Sequence, residues 1–240
     1  MSNDTDWLEW LTPYVREQLP AAPARVLEVG CGPYGGFVPA LREAGYRAVG
    51  VDPEAPDGDD FRQVSFEEYD PPHAYDAVIA CLSLHHVPDP EAAAAKLAEL
   101  LAPDGVVVVV ELAWERHDAA TVDWWSARLG PAPDDLHSPD ASFLHRHLAA
   151  WRESGQPWES YFRAWATEHG MHPADQVVAA LDRHFTRRDH GTGPYLFTEL
   201  PGVTEQDERD AIAAGLLQPL GVRYVGSHRA GAAASVGDQG

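Results

Sequence analysis

Apolar positions along this chain fall into two alternating patterns, short unbroken runs and stripes at helical spacing. From Asp4 to Leu19 the residues Trp7, Leu8, Leu11, Val15 and Leu19 share one face of a predicted helix, with Asp6 the expected N-cap. Pro20 to Ala24 link it to Val26–Val29, a run that reads as a short buried strand. Glycines at 30, 32, 35 and 36 follow, then an Ala/Leu-rich helix from Phe37 to Ala44, then a second run, Ala48–Val51, ending on Asp52. Strand, turn, helix and strand in about thirty residues make a βαβ crossover.

The alternation continues. Pro53 to Asp60 is too rich in proline and acid for a helix, and Phe61 to Ser65 reads as the third strand. Ala77 to Leu82 is wholly apolar, the signature of a parallel strand covered on both faces. Glu91 to Leu101 is its following helix, and Gly105 to Leu112 is a fifth strand that carries Glu111 near its end. From Ala113 to His172 the pattern lapses into aromatic-rich helical segments holding six of the chain's eight tryptophans. Most of these aromatics are expected to form a core of their own, with two or three facing a ligand. Beyond them come a helix from Pro173 to Phe185, a sixth strand from Gly193 to Glu199, a helix from Glu205 to Leu217, a last strand from Gly221 to Ser227, and a Gly/Ala/Ser-rich flexible tail from Arg229 to Gly240. The organisation is thus one domain over 1–228, with a helical lid at about 113–172.

The glycine turn has chemical meaning. Glycine tolerates positive φ and lets a ligand approach bare backbone, and the helix that follows presents unpaired N–H groups. Asp52, at the carboxyl end of the second strand, is placed to accept hydrogen bonds from both hydroxyls of a ribose. Gly30-x-Gly32-x-x-Gly35 with an acid some twenty residues on also fits a dinucleotide fingerprint, so an NAD-dependent oxidoreductase is one reading. Glu28, two residues before the first glycine, tilts away from it: a nicotinamide fold usually has a small or apolar residue there.

Further motifs follow in order: Tyr75-Asp76-Ala77-Val78-Ile79-Ala80-Cys81-Leu82-Ser83-Leu84-His85-His86-Val87, then Pro88-Asp89-Pro90-Glu91, then Leu100-Leu101-Ala102-Pro103-Asp104-Gly105 with its valine run. With the glycine turn, these make residues 24 to 112 resemble the class I S-adenosylmethionine-dependent methyltransferases, in particular their small-molecule branch (methyltransferase type 11/12-like). The resemblance implies a doubly wound, Rossmann-like α/β fold with a seven-stranded sheet in the order 3-2-1-4-5-7-6, the last strand antiparallel. It implies S-adenosyl-L-methionine as cofactor and S-adenosyl-L-homocysteine as product. Glu28, Gly30, Cys31, Gly32, Asp52, Pro53, Ser65, Phe66, Cys81 and Leu82 fall at the cofactor-binding positions. Ser65 stands where the family often has an aspartate toward the adenine, and Glu67 is the alternative for that contact.

His85 and His86 follow the fourth strand at the edge from which methyl transfer is usually assisted, and an imidazole there could take a proton from the attacking group. The competing reading is that they pack or cap the next helix. Glu111, Trp114, His145 and Tyr161 are the candidate substrate residues. The function these features imply is methyl transfer to an O, N or C nucleophile of a small molecule, a secondary metabolite by class. A cofactor-binding enzyme that does not methylate (pericyclase-like or decarboxylating) and an inactive scaffold are the alternatives.

Composition narrows the partners. A net charge of −21, with 38 acidic residues against 17 Lys and Arg, argues against a nucleic-acid or anionic-membrane partner. The start of the chain has no basic and apolar leader pattern, and no run reaches membrane-spanning length, so a cytoplasmic location is expected. Cys31 and Cys81 end neighbouring strands but are expected to stay reduced. His145, His147, His169 and His172 lack the spacing of a zinc pair, so no metal is expected, and no nucleophile elbow supports a serine triad.

Overall fold

The apolar runs pair into one mixed sheet because each is buried on both faces and needs strand partners for its backbone. The computed structural model describes residues 3–138 and 141–229. Its strands are β1 (Arg25–Val29), β2 (Arg47–Val51), β3 (Phe61–Arg62), β4 (Tyr75–Cys81), β5 (Leu101–Leu112), β6 (Phe185–Gly193) and β7 (Gly221–His228), in the spatial order β3-β2-β1-β4-β5-β7-β6. The first five run parallel, and β7 is antiparallel to both β5 and β6, in the expected order.

Alternation within the strands sends side chains to two cores. Leu27, Val29, Val78, Ala80, Val107 and Val109 face one side, where they meet Leu97 of α3 (Pro90–Leu100) and Leu181 of α7 (Ala174–His184). Val26, Ala77, Ile79, Val106, Val108 and Val110 face the other, against Leu11 and Val15 of α1 (Asn3–Gln18) and Val38 and Leu41 of α2 (Val38–Glu43). α1 therefore starts ahead of the expected Asp6 cap. α3 is capped by Asp89, whose carboxylate accepts from the Glu91 and Ala92 N–H groups.

Between β5 and α7 lie α4 (Ala119–Ser126), α5 (Phe143–Ser154) and α6 (Trp158–Glu168). Trp114, Trp124, Trp125, Trp158 and Phe162 gather there into a third core, separate from those on the sheet. The aromatics of this stretch mostly pack on one another, as their density implied.

β5 begins at Leu101, four residues before the expected Gly105 and where the preceding helix was expected to end, and two further strands differ more. The third is only two residues long, and Ser65 to Tyr69 turn away from the sheet instead of extending it. The sixth is Phe185–Gly193, not Gly193 to Glu199. β6 pairs with β7 alone at the sheet edge, so Thr186 through His190 are exposed and polar and leave no apolar run to read. The apolar Tyr195-Leu196-Phe197 stretch forms a 3₁₀ turn at Leu196–Glu199. There Leu196 enters the third core, and Phe197 meets Trp10 of α1 edge-on at 4.9 Å. α8 (Glu205–Ala213) stops short of Leu217 as the chain turns through Gly215 at φ 70°. From residue 230 the expected tail lies outside the described residues.

Candidate active site

The strand order reverses between β1 and β4, and the loops leaving those two strands diverge there to open a cleft, the standard ligand position in an open α/β sheet. This cleft, about 390 Å³, is lined by Gly30, Gly32, Asp52, Pro53, Ser65, Phe66, Glu67, Leu82, Ser83 and His86, among others. Seven of the ten positions carried over for the cofactor thus face one space. Glu28, Cys31 and Cys81 stand behind it, buried in the wall.

The glycines have different tasks. A Cβ on Gly30 would lie 2.3 Å from Cβ of Ser83, so its missing side chain admits the β4 loop, whose Ser83 hydroxyl donates to the Val29 carbonyl (2.9 Å). A Cβ on Gly36 would lie 2.1 Å from Oε1 of Glu28. That carboxylate accepts the Phe37 N–H (2.8 Å) and ties β1 to the chain just before α2. Burial pushes the Glu28 carboxyl up to about 8, against the Phe37 and Val38 N–H groups that favour its charged form. Gly32 is the exception: φ is 61° and no atom lies within 4 Å of where its Cβ would be. Here bare backbone faces open space.

Asp52 stands across from it. One carboxylate oxygen accepts the Gly32 N–H (3.0 Å) and the other the Glu54 N–H (2.7 Å), so the carboxylate is held at the cleft before any ligand arrives. An open glycine backbone, an oriented carboxylate and a walled cleft fit S-adenosylmethionine.

A second cavity, about 260 Å³, adjoins the first. Leu82 and His86 line both. Leu82 has φ 52°, the only positive value at a non-glycine position among the described residues, and its N–H is held by the Val110 carbonyl (2.8 Å). A branched side chain in that conformation is costly and is tolerated where the surroundings fix it. Much of the lining is apolar or aromatic, including Leu112, Phe143, Phe162, Trp165 and Met171, with the histidines, Tyr195 and Glu199 as its polar members.

The histidine pair divides. His85 is buried and lines the second cavity, with Nδ1 2.5 Å from Oε2 of Glu111. Glu111 is itself buried at the end of β5, and its Oε1 also accepts the Leu84 N–H (2.8 Å). Nε2 of His85 makes no hydrogen bond among the described residues. His86 is exposed at the mouth of both cavities, its ring centroid 4.2 Å from that of His85. Desolvation and the neighbouring His85 lower its pKa.

The other candidate substrate residues lie elsewhere. Glu111 reaches the cavity through His85. The indole of Trp114 donates to the His172 carbonyl (3.0 Å). His145 completes the capping box of α5 with Ser142 and reaches the Gly130 carbonyl (3.0 Å). The Tyr161 hydroxyl meets Nδ1 of His147 (2.9 Å). Helix periodicity explains the outcome: on α6, Phe162 and Trp165 share the face turned to the cavity, and Tyr161 is rotated off it. Ser83 and His117 belong to the lining but carried no signal in the sequence. Both cysteines are free thiols; burial pushes Cys31 up to about 12, and burial also raises Cys81 well above its usual range. No group of potential metal ligands occurs among the described residues.

Comparison with known proteins agrees with this geometry. Residues 6–175 match the family model described as a methyltransferase domain. A ubiquinone biosynthesis O-methyltransferase of Rhodopseudomonas palustris (strain TIE-1) is 32% identical over 101 residues, 37% of this chain and 40% of that enzyme, so the match spans well under half of the relative. Among solved structures, an S-adenosylmethionine-dependent methyltransferase from Mesorhizobium loti superposes with a TM-score of 0.54 at 19% identity, over 92% of this chain and 98% of that one. The geranyl diphosphate C-methyltransferase of Streptomyces coelicolor, solved with S-adenosyl-L-homocysteine, gives 0.54 at 17% identity, over 92% and 80%. With a family model matched across most of its length and the sheet order to accompany it, the chain belongs to the methyltransferase-domain family, as a class I S-adenosylmethionine-dependent member.

Proposed function

We propose that this protein moves a methyl group from S-adenosylmethionine to a nucleophilic atom of a small molecule, a secondary metabolite by class. The reading is carried by the meeting of two cavities at Leu82 and His86, one whose open glycine backbone and carboxylate suit a ribose-bearing cofactor and the other largely apolar and aromatic. When bound, S-adenosylmethionine supplies a methyl carbon already activated by its sulfonium. The chain's own work is then mainly placement and exclusion of water.

In this reading Asp52 accepts the ribose hydroxyls, and Gly30 and Gly32 run beside the methionine part. Ser65, Phe66 and Glu67 flank the adenine. Glu28 acts through the turn it fixes, and Cys31 and Cys81 through packing. Leu82, held by its backbone, separates donor from acceptor. His85 receives the acceptor's proton at Nε2, while Glu111 orients the ring and stabilises the imidazolium that forms. α4 to α6 serve as the lid that closes the acceptor side.

A thermal-shift comparison tests the proposal. A ligand that binds only the native state stabilises it by mass action, by about 2.7 kcal/mol at a hundredfold excess over Kd, and so raises its melting temperature. S-adenosyl-L-homocysteine should raise it and NAD should not. A shift with NAD alone would overturn the reading.

A further inference from the structure

The second cavity contains information about its occupant beyond apolar shape. Among the described residues, no lysine or arginine lines it. Of its histidines, burial holds His117 down to about 3, burial and His85 lower His86, and His85 turns its Nδ1 onto Glu111. A carboxylate or phosphate placed there would have no lysine or arginine to pair with and would lie close to Glu199 in the lining and to Glu111 behind His85, a costly arrangement.

His117 adds a direction. Its Nε2 receives the indole N–H of Trp125 at 2.7 Å, and an indole nitrogen can only donate. Nε2 is therefore the unprotonated nitrogen, and the ring proton sits on Nδ1. Trp158 holds the same residue from the other side, donating to its carbonyl at 2.7 Å. The ring is thus clamped as a neutral imidazole with one fixed tautomer. Its Nδ1–H has no acceptor among the described residues, and the residue lines the cavity.

We propose that the acceptor is an uncharged aromatic hydroxy compound with a second oxygen, and that His117 is a specificity residue that donates its Nδ1 proton to that oxygen. The proposal rests on the methyl-transfer reading above. The hydroxyl is chosen because His85 is built as a proton acceptor. A phenol, with a pKa of about 10, is within reach of an imidazole, whereas an aliphatic alcohol is far less acidic. In the step, the phenol O–H gives its proton to Nε2 of His85 as the oxygen forms a bond to the methyl carbon. The carbon–sulfur bond breaks with its electrons left on sulfur, yielding an aryl methyl ether and S-adenosylhomocysteine.

The test uses the full chain and three matched probe sets: the 2-, 3- and 4-hydroxyacetophenones, the corresponding hydroxybenzoates and the corresponding ethylphenols. Calorimetry with S-adenosylhomocysteine comes first; if it fails to bind, the cofactor reading falls and takes this one with it. With the cofactor product bound, at least one hydroxyacetophenone should bind and be methylated from S-adenosylmethionine. It should be favoured about tenfold or more over its ethylphenol, the usual loss when a buried donor is left unpaired. It should be favoured likewise over its benzoate. His117→Phe should bring the acetophenone-to-ethylphenol ratio close to one. His117→Gln, whose amide can accept from Trp125 and still donate, should restore part of it and guards against misfolding of the first variant. Preference for a benzoate, no binding by any member of the sets, or an unchanged ratio in folded His117→Phe would each overturn the proposal.

Discussion

Glu111 holds His85 twice over: its Oε2 lies 2.5 Å from the imidazole Nδ1, and its Oε1 accepts the Leu84 N–H at 2.8 Å, one residue before the histidine. One buried carboxylate therefore sets both the ring and the backbone that carries it. If this unit accepts the substrate proton, His85→Ala should lower turnover by about a hundredfold and leave affinity for S-adenosylhomocysteine nearly unchanged. Added imidazole should restore part of the rate. Glu111→Gln retains an acceptor and should lose less. Steady-state kinetics with calorimetry separates this from a packing role, in which His85→Ala would show only a lower melting temperature.

Gly32 and Gly36 predict opposite phenotypes. Gly36→Ala puts a methyl group where Oε1 of Glu28 already is, at a φ of 53°, so it should destabilise the fold by several kcal/mol, about 3 or more. A Cβ at Gly32 meets no atom within 4 Å, so Gly32→Val should fold with a backbone penalty of about 1–2 kcal/mol or somewhat more for a branched residue, and lose cofactor binding. Urea melts and calorimetry on the two variants check the pair; cofactor bound normally by Gly32→Val would mean the ligand lies elsewhere.

Asp52→Ala removes the ribose acceptor and also the partner of the Gly32 and Glu54 N–H groups. Hydrogen bonds to a charged group are worth about 1.5–3 kcal/mol each, so S-adenosylhomocysteine affinity should fall at least about tenfold. Asp52→Asn, which keeps one carbonyl acceptor, should fall between. Equal affinity in all three proteins, measured by calorimetry, would remove Asp52 from the site.

The aromatic core of α4 to α6 should be acid-labile. Burial lowers His117 to about 3 and, with Arg146 nearby, His147 to about 4, whereas in the unfolded chain both protonate near 6.5. Since both folded values are depressed, the unfolded state binds more protons between these limits. Their contribution to stability is complete above about pH 6.5 and is lost as pH falls toward 4 and then 3. Tryptophan fluorescence should report loss of this core on acidification. His147→Phe, which stacks in the same place without titrating, should move that transition to lower pH; an unmoved midpoint would show that other groups govern it.

How far the sequence led depends on what each residue had to signal. β1, β2, β4 and the valine run of β5 were legible because strands buried on both faces are mostly apolar. β6 was not, because an edge strand with one partner shows solvent a polar surface, and the apolar Tyr195-Leu196-Phe197 stretch drew the assignment instead. Gly30, Gly32 and Asp52 were readable from spacing, since turn geometry ties backbone freedom to residue type. The strain at Leu82 was invisible, because nothing in a leucine announces positive φ. The cavity lining was also beyond the pattern: Tyr161, Phe162 and Trp165 look alike as aromatics, and only the rotation of α6 decides which of them turn inward.

The two buried thiols have a practical consequence. Cys31 sits in the glycine turn and Cys81 ends β4 one residue before Leu82, yet burial, with Glu28 nearby, keeps both in the un-ionised form. Only a thiolate attacks alkylating reagents or is readily oxidised. The native protein should therefore ignore iodoacetamide and mild peroxide despite having sulfur in its glycine turn and at the end of β4. Modification would require the sheet to open, so the rate of alkylation becomes a clock for local unfolding at the centre of the molecule.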